Sequence, residues 1–233
     1  MSLSSLPDTV FPRPFHALGK ESRRRILCDE DHFRIYHESL IQNEQHSRFY
    51  HFPNDAFIFV LEGQGYLSGS KTSLALNQYQ GCWISPDQIH KLVLLSPHLE
   101  LIVIAYQGNL APCAAPYYDV NQANDSLKEK NTIIARQQIS HRESLSIVLE
   151  TYPAKQAEHL HYHRQSDQFI MALEGEFYLK RDNTHITIDT YDWALVTPKQ
   201  RHRLKNESSK ESLCLSIYSP PPTKDRVLVL TKK

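Results

Sequence analysis

Short apolar runs separated by turn signals dominate the chain. FIFVLEG from Phe57 and FIMALEG from Phe169 are unbroken runs of β-forming residues, each closed by Glu-Gly. SLALNQY from Ser73 and HITIDTY from His185 alternate apolar and polar positions, the period of a half-buried strand. LVLLS, LELIVIAY, WALVTP and SLCLSIY continue the series, with Gly-Ser-Lys, Arg-Asp-Asn and Ser-Pro between runs. That spacing of strands and turns predicts an all-β architecture of sandwich or small-barrel type.

The pattern repeats at an offset of 112 residues. Without a gap, His51 falls on His163, Asp55 on Asp167, and Glu62-Gly63 on Glu174-Gly175. Farther along, Tyr66 meets Tyr178, Tyr79 meets Tyr191, Pro86 meets Pro198, His90 meets His202 and Tyr106 meets Tyr218. The chain is therefore expected to hold two copies of one module. The expected organisation is an N-terminal arm over 1–32, a first barrel over 33–106, a linker over 107–140, a second barrel over 141–222 and a tail over 223–233. Within the linker, DSLKEKNTIIARQQ reads as one helix. Barrel edges should be covered by the arm or by the sister module.

Composition narrows the function classes. Lys+Arg and Asp+Glu are 26 each, so no basic surplus exists to drive nucleic-acid binding. No apolar stretch reaches the length of a membrane span, and the first residues carry prolines and an Asp where a secretory signal needs an apolar run. The four cysteines are far apart and form no C-x-x-C pair, so they are expected to be reduced thiols of a cytoplasmic protein.

The densest chemistry is EHLHYHRQSDQF, residues 158–169. On a regular strand His159, His161 and His163 share one face, the interior of a small barrel. Neutral imidazoles pack poorly as core, whereas converging ring nitrogens suit a divalent transition metal.

His161-x-His163, then Gln168, then Gly175, resembles the first metal-binding motif of the cupin superfamily. TYDWALVTPKQRHRLKN, with Asp192, Pro198, His202 and Asn206, resembles the second. Two copies make the chain similar to a bicupin, and more remotely to the small bicupin isomerases of bacilysin-type biosynthesis. The resemblance implies two tandem cupin (double-stranded β-helix, jelly-roll) barrels. It also implies a divalent transition metal (Fe, Mn, Ni, Co or Zn) held by His161, His163, Gln168 and His202, with positions left open for water or substrate.

Gln168 departs from the common pattern, which has Glu there, and leaves the site one negative charge short. The expected function is a metal-dependent enzyme of isomerase or dioxygenase type acting on a small anionic molecule, with His159 as general base. The alternative is a non-catalytic module that binds or senses a small molecule. The first barrel has Phe49, Ala56 and Ser47 where the second has His161, Gln168 and His159, so it should be metal-free. It is then either an apolar pocket lined by Phe49, Phe57 and Phe59 or a filled barrel used for docking and homodimerisation.

Overall fold

The structure is a computed structural model that describes residues 16–18, 21–42, 47–69, 73–84, 86, 88–107, 117–119 and 133–229. Among the described residues there is no helix, and so none long and apolar enough to cross a membrane. The first half contains β1 (His16–Ala17), β2 (Arg23–Asp29), β3 (Phe33–Ile41), β4 (Ser47–Tyr50), β5 (Ala56–Glu62), β6 (Gly65–Ser68), β7 (Ser73–Leu76), β8 (Gln80–Ile84), β9 (His90–Leu94), β10 (His98–Tyr106) and β11 (Tyr117–Asp119). The second contains β12 (Ala135–His141), β13 (Ser146–Tyr152), β14 (His161–His163), β15 (Asp167–Glu174), β16 (Phe177–Arg181), β17 (Thr184–Ile188), β18 (Trp193–Val196), β19 (His202–Asn206), β20 (Ser212–Ser219) and β21 (Arg226–Leu228).

Each half is a pair of antiparallel sheets. In the first, β1-β2-β3-β10-β5-β8-β11 faces β4-β9-β6-β7; in the second, β12-β13-β20-β15-β18 faces β17-β16-β19-β14-β21. The 112-residue offset carries β2, β3 and β5–β10 onto β12, β13 and β15–β20, and β4 onto β14 with a one-residue slip in pairing, so the two barrel-like halves expected from the repeat are present.

The unbroken apolar runs are explained by burial on both faces. On β5, Ala56, Ile58 and Val60 fill the first barrel, while Phe57, Phe59 and Leu61 join a core shared between the halves. On β15, Ile170 and Ala172 fill the second barrel, while Phe169, Met171 and Leu173 enter that same shared core. Polar contacts rim it: Trp83 Nε1 donates to Ser140 Oγ at 3.0 Å and Tyr79 OH to Glu174 Oε1 at 2.7 Å. The larger sheets are thus the surface along which the modules join, and desolvating these faces stabilises the pairing.

One segment differs from expectation. Part of the helix-like run, residues 125–132, lies outside the described residues, but Ala135–Gln138 belongs to β12 and is strand. Tertiary pairing with β13 overrides local helix preference there, because Arg136 opposes Glu150 and ion-pairs with it. β2, within the stretch assigned to the arm, pairs with β3 as β12 pairs with β13. β21, within the assigned tail, pairs with β14.

Phe49, Phe57 and Phe59 do not line one pocket. Phe57 and Phe59 lie in the shared core, whereas Phe49 is 63 % exposed. Cys28, Cys82 and Cys214 are buried and form no disulfide among the described residues, and Cys113 lies outside them.

Candidate metal centre in the second barrel

Strand register brings the histidines together. His161 on β14 lies directly opposite His202 on β19, and His163 follows two residues on, facing the same interior. All three are at most 2 % exposed, and one ring nitrogen from each lies within 4.8 Å of the other two. Gln168 reaches the same space from the facing sheet, opposite Tyr218 on β20. The alternation that puts Ile170 and Ala172 inside the barrel puts Gln168 inside and Asp167 on the other face, as expected.

The hydrogen bonds set the polarity of the donors. His161 Nδ1 lies 2.8 Å from the His159 carbonyl oxygen, and His202 Nδ1 lies 3.0 Å from that of Gln200. Carbonyl oxygens only accept, and the His159 carbonyl is nearer to His161 Nδ1 than Arg226 Nη2 at 3.4 Å, so the shorter contacts put the proton of both rings on Nδ1 and turn an Nε2 lone pair inward. His202 Nε2 then faces Gln168 Oε1 at 3.0 Å. Burial pushes His202 down from its ordinary pKa, so the doubly protonated ring that would reconcile two acceptors is disfavoured. Two lone pairs that meet in a buried site are what a cation relieves.

His163 supports the same conclusion. Among the described residues neither of its ring nitrogens makes a hydrogen bond, and Asp225 Oδ2 lies 3.6 Å from Nδ1. Burial and the neighbouring His202 lower its pKa to about 4, and burial lowers His161 as well. Neutral imidazole is the metal-binding form, so the three nitrogens and one amide oxygen fit a divalent metal ion.

His159 is not part of this constellation. It is exposed and precedes β14, contributing only its carbonyl to His161. The buried residue is Glu158. Glu158 and His161 are three apart and both face inward, which a regular strand forbids, so the alternation breaks between them. The break is held by Glu158, whose Oε1 accepts from Leu204 N at 3.0 Å and whose Oε2 accepts from Arg226 at 3.0 Å.

Several site residues were not anticipated. A cavity of about 520 Å³ opens beside His163 and Tyr218, walled by Arg136, Val148, Glu150 and Arg226. Arg136 Nε donates to Glu150 Oε1 at 2.6 Å, and Ser216 Oγ donates to Glu150 Oε2 at 2.9 Å. Asp225 accepts from the amides of Arg164, Gln165 and Ser166, fixing the turn between His163 and Gln168. Carrying the 112-residue offset back from His51 would have found part of this, since Arg24 and Glu38 fall on Arg136 and Glu150. Asp225 and Arg226 follow a proline run and carry no sequence signal of a site.

Residues 148–218 match the family model described as Cupin domain. That stretch contains every proposed ligand, and the first half repeats its strands. The fold is that of a bicupin. Solved structures agree with the bicupin architecture across most of the chain. AerE from Microcystis aeruginosa matches with a TM-score of 0.75 at 13 % identity, over 90 % of this chain and 98 % of its own. A formate complex of Lactobacillus farciminis oxalate decarboxylase gives 0.73 at 8 %, over 93 % and 86 %. Bacillus subtilis oxalate decarboxylase, in a study of its Mn(II) centres, gives 0.68 at 9 %, over 89 % and 74 %. No curated protein matches the sequence.

Proposed function

We propose that this bicupin is a metal-dependent enzyme of isomerase or dioxygenase type that acts on a small organic anion in its second barrel. The observation that carries the reading is the meeting of His202 Nε2 and Gln168 Oε1 beside His161 and His163, the last of which lines a cavity of about 520 Å³. That volume suits a small-molecule ligand. The Mn(II) centres of the Bacillus subtilis decarboxylase and the formate bound to the Lactobacillus farciminis enzyme belong to proteins of the same fold, and they support a metal and an anion here.

A divalent metal supplies Lewis-acid chemistry, and redox chemistry if it is iron. The chain's own residues do the rest. His161, His163, His202 and Gln168 are all neutral donors, so a bound dication keeps both its charges. Arg136 and Arg226 on the cavity wall are already balanced by Glu150 and Glu158. The loaded cavity is therefore net positive and favours a carboxylate, enolate or similar anion. Val148, Pro222 and the Tyr218 ring give its body an apolar surface that excludes water.

Metal analysis of the purified protein and of His161→Ala, with identification of any co-purified small molecule, tests the reading. Metal in the native protein and none in the variant is expected. Equal metal in both removes the site. An anion that binds and leaves chemically unchanged favours the sensing module over the enzyme.

A further inference from the structure

Gln168 has two chemically different ends, and only its carbonyl end ligates a cation. Something must hold the amide so that Oε1 rather than Nε2 faces the histidines. Tyr218 cannot decide this, because a hydroxyl donates as readily as it accepts. Ser216 can. Its proton is committed to Glu150 Oε2 at 2.9 Å, and a carboxylate only accepts. Glu150 is itself fixed by Arg136 across the β12–β13 pair. Ser216 Oγ is left with lone pairs toward Gln168 Nε2, 3.5 Å away. The amide's second proton goes to Tyr218 OH at 3.0 Å. Two donors meet two acceptors, and the carbonyl is turned to His202 at 3.0 Å.

We infer that Ser216, polarised by the buried Arg136–Glu150 pair, is a positioning residue that sets the orientation of the Gln168 amide and so makes a neutral side chain serve as a metal ligand. This rests on the metal reading above. A flipped amide would place NH₂ against the His202 lone pair or a cation and C=O against Ser216 lone pairs, and each contact would be repulsive. A carboxylate has no wrong end. A site with glutamate at this position would not need Ser216, whereas a site with glutamine does.

The experiment is a double-mutant cycle read as Co(II) affinity, measured by competition with a chromophoric chelator on full-length protein. Ser216→Ala is introduced into the native chain and into Gln168→Glu, with thermal melts confirming that all variants fold. Ser216→Ala should weaken Co(II) binding roughly tenfold in the native background, the scale of an outer partner of a ligand. In the Gln168→Glu background the loss should shrink to less than about twofold, since both carboxylate oxygens ligate alike. Equal losses in the two backgrounds would make Ser216 merely structural and overturn the inference, as would no loss in the native background. If the native protein binds Co(II) no better than His161→Ala, the metal reading itself fails and takes this inference with it. That outcome is distinguishable from the others because it appears before Ser216 is changed.

Discussion

Replacing Gln168 with Glu tests whether neutrality at this position matters. The amide is buried, with Oε1 at 3.0 Å from His202 Nε2 and Nε2 at 3.0 Å from Tyr218 OH. Glu150 is its nearest charged neighbour through Ser216, by steps of 3.5 and 2.9 Å, so a carboxylate at 168 lies about 6 Å from it. At an effective dielectric near 20, that repulsion is about 3 kcal/mol in the metal-free protein. A dication beside the new carboxylate outweighs it, so metal affinity rises. An anion bound at the metal, about 4 Å from the same carboxylate, meets a repulsion of about 4 kcal/mol, close to a thousandfold in affinity.

The assay measures two quantities on the same samples: metal occupancy by elemental analysis, and affinity for formate, the simplest carboxylate, by calorimetry on the loaded protein. The expected result is higher occupancy together with formate binding weakened by two to three orders of magnitude, the scale set by that repulsion of about 4 kcal/mol. Tighter metal with equal or better formate binding would refute the reasoning and make Gln168 a weakened carboxylate with no role of its own.

Four further outcomes follow. His161→Ala should empty the site while His51→Ala leaves the metal content unchanged, because His51 is exposed in the barrel that lacks the cluster; the reverse pattern in elemental analysis would move the working site to the first barrel. In metal-free protein, burial holds His163 at about 4 in the fold, while the unfolded chain protonates it near 6.5. Stability should therefore fall as pH drops from about 6.5 to about 4, by about 3 kcal/mol for this group, and a flat profile in denaturant titrations would contradict the burial argument. Asp225→Ala frees the amides of Arg164, Gln165 and Ser166, at about 1–3 kcal/mol, and should weaken Co(II) binding by loosening the turn between His163 and Gln168; unchanged affinity would confine Asp225 to stability. Glu38→Ala should destabilise the first barrel by about 3–5 kcal/mol, since it leaves Arg24 and Arg48 facing a vacated buried site; a shift within error in urea unfolding would argue against a buried ion pair.

Much of the architecture was legible because it is written twice. The offset that aligns Phe57 with Phe169 also aligns the strands, and HxH, Gln168 and His202 converge as their motif spacing implies. His159 misled because periodicity assumes a regular strand. The chain breaks its alternation so that Glu158 can turn inward to Leu204 and Arg226, and no local pattern announces that. Arg136 was hidden for a related reason: a charged residue in a polar run reads as linker or helix until its partner is known. Asp225 and Arg226 reach the site only because β21 returns to pair with β14, a contact between residues some sixty positions apart that hydropathy does not encode.

The two barrels show what separates a filled module from a chemical one. Both keep an Arg–Glu pair around a buried carboxylate at equivalent positions, Arg24 with Glu38 and Arg136 with Glu150. In the first barrel Arg48 and Tyr50 also close on Glu38, and the Arg24 guanidinium stacks 4.5 Å from the Tyr36 ring centroid. Among the described residues, a space of about 190 Å³ there is lined in part by Arg34, Tyr36, Phe52 and Tyr106. In the second barrel Val148 takes the place of Tyr36. The carboxylate then satisfies its remaining oxygen with Ser216, and the cavity stays open at about 520 Å³. The same ion pair is thus packed under aromatic side chains in one module and is cavity wall in the other. The difference lies in which side chains complete the carboxylate. Arg48, Tyr50 and the Tyr36 ring thus close around the first barrel's Arg24–Glu38 pair, where the second barrel keeps a cavity beside the equivalent pair. A histidine at Phe49 alone would not restore the site, since Phe49 is 63 % exposed and Ala56 stands where the second barrel has Gln168.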